Sequence, residues 1–109
     1  MKHREKSFVR ERHDARTKAR SIAAIEVAWR DMNGIVTALD RYVAAEEVRT
    51  RITDVKHVAY STAAMAARVR SCNLKKSVIE LKANLLVATA EHNSALAKLT
   101  ALEKGQDAA

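Results

Sequence analysis

Apolar residues recur at alternating three- and four-residue steps along two stretches of this chain, and the two stretches mirror each other about a polar break near its middle. The first stretch is Ile22, Ile25, Trp29, Met32, Val36, Leu39 and Val43. The second is Ala67, Ser71, Leu74, Val78, Leu81, Leu85, Ala88, His92, Ala95, Leu99 and Leu102. A mean repeat of about 3.5 residues keeps one face of a supercoiling helix against its neighbour, so the predicted fold is all-α, a long antiparallel two-helix coiled-coil hairpin. With the reversal centred at Val55, Val43 meets Ala67, Leu39 meets Ser71, Val36 meets Leu74 and Met32 meets Val78. On the same register Trp29 meets Leu81, Ile25 meets Leu85 and Ile22 meets Ala88. A slip of one residue would turn these positions outward.

The remaining residues agree with helices. Proline is absent, and glycine occurs only at Gly34 and Gly105. We expect one domain: a first helix over residues 4–49, a connector over 50–61, a second helix over 62–104 and a disordered tail over 105–109. A glycine inside a helix costs only about 1 kcal/mol relative to alanine, and the apolar phase runs through Gly34, so the first helix is read as unbroken there; a bend is the alternative. At about 1.5 Å per residue, this arm reaches roughly 65 Å. Ser61 or Thr62 is placed to cap the second helix, and Gly105 to stop it.

A formal charge of +7 implies an acidic partner: nucleic acid, anionic lipid or an acidic protein surface. Residues 1–20 concentrate this charge, with eight lysines and arginines against three acids. They contain no apolar core of a secretory signal, and no stretch approaches the roughly 20 apolar residues that span a bilayer. Within them Arg12, Arg16 and Arg20 recur at four-residue spacing, so they are the candidate partner-binding cations of one helical face. Extrapolated backward, the seam passes through Lys18, Ala15, Glu11 and Phe8, weak positions from which the two helices are expected to splay or fray when no partner is bound. A solvated charged face is the plainer account of the arginines.

The connector carries the second candidate set, Asp54, His57 and Tyr60, expected outside both seams and therefore dispensable for the coiled coil. Local loop hydrogen bonding competes with partner contact as their purpose. A weaker apolar stripe also lies beside each seam: Met65, Val69, Cys72, Ile79 and Leu86 on the second helix, Ile35 and Tyr42 among alanines on the first. Two helices cannot bury so wide a face, so a homo-oligomer or a docked partner is expected to cover it. Cys72 itself, the single cysteine, permits no internal disulfide and is read as a small apolar residue at the seam's flank.

No cofactor or catalytic centre is expected. Two glycines build no phosphate loop, the four histidines and Cys72 do not fall at metal-ligand spacing, and Glu46 and Glu47 are adjacent, which makes a poor acid–base pair. His92 reads as a polar layer in the seam opposite Lys18.

From Glu46 to Leu85 the chain resembles the short alphaproteobacterial members of the FliJ family of flagellar export proteins. The resembling residues are Glu46, Glu47 and Arg49, then Ile52, Asp54, His57, Ala59 and Tyr60, then Ala66, Ala67, Arg70, Asn73, Leu74, Ser77, Leu81 and Lys82. A looser similarity in spacing continues back through Ile25 and Met32. The resemblance implies a non-enzymatic, cytoplasmic coiled coil, peripheral at the flagellar base and serving motility through type III protein export. Its paired helix termini would enter the ring of the export ATPase, while another surface contacts the export-gate protein and export chaperones. A basic hairpin binding nucleic-acid phosphates through Arg12, Arg16, Arg20, Lys75 and Lys76 is the weaker alternative. A membrane-surface helix is weaker still, since the basic end lacks a matching apolar face.

Overall fold

The computed structural model describes residues 2–107, with side chains over residues 5–105. Two helices, α1 (Lys2–Thr50) and α2 (Thr62–Asp107), form an all-α helical hairpin, and no strand occurs among the described residues. Glu5 in the first turn of α1 and Arg49 in its last oppose the partial charges of the helix ends. α1 passes through Gly34 without a break. A methyl group at that position would meet nothing within 4 Å, so the glycine relieves no crowding there.

The helices pack in two compact units, Ala28–Lys82 and the residues on either side of it. In the first, Val36, Val43, Ala64 and Ala67 are buried, and Trp29, Met32, Leu39, Leu74, Val78 and Leu81 are half-buried. All but Ala64 are the expected seam positions, and Ala64 extends the seam by one step before Ala67. Two cross-helix contacts fix their register: Ser71 bonds to Asp40, the neighbour of Leu39, and Lys82, the neighbour of Leu81, lies over the Trp29 ring.

In the second unit Ile22, Ile25, Leu85, Ala88, His92, Leu99 and Phe8 are half-buried, while Ala15 and Ala95 are 7% and 3% exposed. The expected splaying at this end is corrected by those two alanines. Small side chains let two backbones approach closely, so a layer that looks weak by apolar volume still closes.

The hairpin turns on a residue with no special sequence signal. Arg51 takes a φ of 60°, the left-handed conformation that ends many helices and that glycine adopts at least cost. At the other junction Ser61 caps α2: its Oγ accepts the Ala64 N–H at 3.1 Å, while the Ser61 carbonyl accepts the Met65 N–H at 2.9 Å. Gly105 does not end α2, contrary to expectation. The helix continues to Asp107 and no glycine has a positive φ. Glycine permits a left-handed stop but does not impose one, and the rest of the expected tail lies outside the described residues.

Candidate partner-binding surfaces

At the connector, short-range hydrogen bonds build two consecutive turns. Asp54 Oδ1 accepts the Lys56 N–H at 2.9 Å and its carbonyl accepts the His57 N–H at 3.0 Å. His57 Nδ1 then accepts the Ala59 N–H at 2.9 Å, and the His57 carbonyl accepts the Tyr60 N–H at 3.0 Å. Side chains that bond their own backbone two residues on are ordinary turn builders. Asp54 and His57 are nonetheless exposed, and Val58 between them and Tyr60 is fully open to water at 102%.

Tyr60 is different. It is 8% exposed, and its hydroxyl donates to Glu47 Oε1 at 2.9 Å across the hairpin. Burial and this donated bond both hold the phenol's pKa above its ordinary value. The expectation that all three connector residues stand apart from the packing is therefore corrected for Tyr60, which docks the connector onto α1. Periodicity missed it because the residue lies before the first turn of α2, where the helical phase has not begun.

Glu46 reaches Ser61, the residue that caps α2, and Glu47 reaches α2 itself. Ser61 Oγ donates to Glu46 Oε2 at 2.9 Å, and Arg49 holds both carboxylate oxygens at 2.9 Å. The Arg49 bonds, then the Ser61 bond, lower the Glu46 pKa to about 2. Glu47 Oε1 takes Arg68 at 3.3 Å besides Tyr60. About two turns of α1 earlier, Asp40 accepts Ser71 Oγ at 2.6 Å and Lys75 Nζ at 3.3 Å, and the serine bond is the first cause of its lowered pKa. These acids act as acceptors for the opposite helix, a role their sequence positions did not disclose.

In the other unit, Arg12, Arg16 and Arg20 are all exposed, and none lies within 4.0 Å of a carboxylate among the described residues. Arg12 sits 5.6 Å from the centre of the Phe8 ring, which steadies its guanidinium without neutralising it. By contrast Lys18 is engaged, at 3.1 Å from Asp14. A shallow recess beside the arginines is lined by Arg12, Arg16, Ala19, His92, Leu96 and Leu99, so half-buried His92 borders a cationic surface.

No group of three or more histidine, cysteine or acidic side chains is placed to hold a metal ion among the described residues. Nor is any described helix long and apolar enough to cross a membrane. What the geometry defines is a helical hairpin with a hydrogen-bonded tip and a row of uncompensated arginines. Neither the scan of protein-family models nor the searches of curated proteins and solved structures find a match to the chain.

Proposed function

We propose that this chain is a non-enzymatic component of the flagellar type III export apparatus, a cytoplasmic coiled-coil stalk at the flagellar base that engages the export ATPase ring. The observation that carries the reading is the set of three exposed arginines at four-residue spacing with no carboxylate within ion-pair distance. Cations at that spacing repel one another slightly, so hairpin stability does not account for them. An acidic collar in a partner ring would. The family-like connector supports the same reading, with exposed Asp54 and His57 presented to an export-gate protein or export chaperone.

The test is Arg12→Glu, Arg16→Glu and Arg20→Glu in one protein. Binding to the export ATPase should be abolished with circular dichroism unchanged. Wild-type binding should weaken as salt rises, because exposed charges are screened over about 8 Å at physiological ionic strength. A triple variant that still binds the ATPase but loses affinity for RNA or DNA would replace the stalk with a nucleic-acid-binding hairpin, the reading that the +7 charge also supports.

A further inference from the structure

Within the Ala28–Lys82 unit, α2 carries a second apolar row that the hairpin does not cover. Met65, Val69 and Ile79 are 37%, 55% and 69% exposed, and Cys72 is exposed between them. Their steps follow the same heptad spacing as the seam, with Lys76 at the one position in the row that is not apolar. A row with the period of about 3.5 residues stays straight along a supercoiled pair, so its natural occupant is another helix.

The charges beside the row select the kind of helix. Arg68 and Lys75 line its border toward α1, where they reach Glu47 and Asp40 at 3.3 Å each. Their side chains remain 48% and 56% exposed, so donors are left for a second carboxylate. Lys76 makes no ion pair among the described residues. We propose that this face of α2 binds an acidic amphipathic helix of a partner protein, its apolar residues over Met65, Val69 and Ile79 and its carboxylates at Arg68, Lys75 and Lys76. A second copy of this chain would bring the same cations against each other in a desolvated contact, which disfavours self-pairing. A lipid surface fits less well, because the row is one residue wide and gives a membrane no broad apolar face to enter. The proposal does not depend on the export-stalk reading.

The experiment uses the full chain and two synthetic helical peptides of about three heptads. Both carry leucine along one seam; one has glutamate at the flanking positions and the other lysine. By fluorescence anisotropy the glutamate peptide should bind at least about tenfold more tightly than the lysine peptide, an advantage lost with added salt. Its binding should also slow alkylation of Cys72. Val69→Glu with Ile79→Glu should abolish binding with helicity retained, and Lys75→Glu with Lys76→Glu should shift preference toward the lysine peptide. The variant with Arg12, Arg16 and Arg20 changed to glutamate should bind the peptide normally, so this proposal and the stalk reading fail separately. Equal affinity for both peptides overturns it. So does a dimer in sedimentation that Ile79→Glu dissolves, or binding to phosphatidylglycerol vesicles that slows Cys72 alkylation more than the glutamate peptide does.

Discussion

The Ser71 hydroxyl, 2% exposed at a seam position, donates a 2.6 Å hydrogen bond to the Asp40 carboxylate of the opposite helix. A polar group in a coiled-coil seam costs stability unless it is partnered, and a partner that exists at one register only fixes that register. Asp40→Ala orphans a buried hydroxyl and should cost about 1–2 kcal/mol in urea melts. Ser71→Ala should cost less, about 0–1 kcal/mol, because Asp40 keeps Lys75 and water. The double variant should lose less than the two single losses combined, since the remaining change hits a partner already gone.

The connector residues should separate by role. Tyr60→Ala removes a buried ring as well as the Glu47 bond and should destabilise by about 2–4 kcal/mol. Tyr60→Phe keeps the ring and should cost about 1 kcal/mol. His57→Ala loses one exposed turn bond and should change the melting temperature little. If the export reading holds, His57→Ala should impair motility at unchanged stability, which Tyr60→Ala cannot report.

Two backbone positions offer stabilisation. Gly34→Ala fills open space on an unbroken helix and should gain up to about 1 kcal/mol. Arg51→Gly removes a side chain from a left-handed conformation and should gain a comparable amount, about 1 kcal/mol, partly offset by the freer unfolded chain. Thermal melts of each single variant against wild type check both. A lower melting temperature for Gly34→Ala would mean that α1 bends there in solution.

Stability should respond to pH in opposite senses at the two extremes. Glu46 and Asp40 have lowered pKa values in the folded chain, so the unfolded chain binds more protons in the acid range. Their contribution is complete above the unfolded carboxylate values of about 4 and is lost as pH falls toward the Glu46 value of about 2. Tyr60 is raised above its ordinary 10.0, so its contribution is present below that value and lost as pH rises through the folded one. Urea midpoints measured across pH should fall at both ends. Glu46→Gln should flatten the acid limb, and Tyr60→Phe the alkaline limb.

The sequence alone determined the seam. Apolar steps of three and four residues admit one buried face per helix, and the mirrored phases left one antiparallel register in which Val36, Val43 and Ala67 are all buried. It also marked Arg12, Arg16 and Arg20 as a cationic face, because exposure follows directly from distance to the seam in helical phase. Only the tertiary structure decided which polar residues belong to the packing. Tyr60, Glu46 and Glu47 look alike as polar letters near a turn, yet their placement depends on groups 13 to 15 residues away in sequence, and Ser71, legible as a seam position, finds its acceptor Asp40 31 residues away. The same holds for the helix ends. Arg51 carries the left-handed turn and Gly105 does not, because the conformation of a junction is set by where the opposite helix must dock rather than by the residue with the easiest backbone.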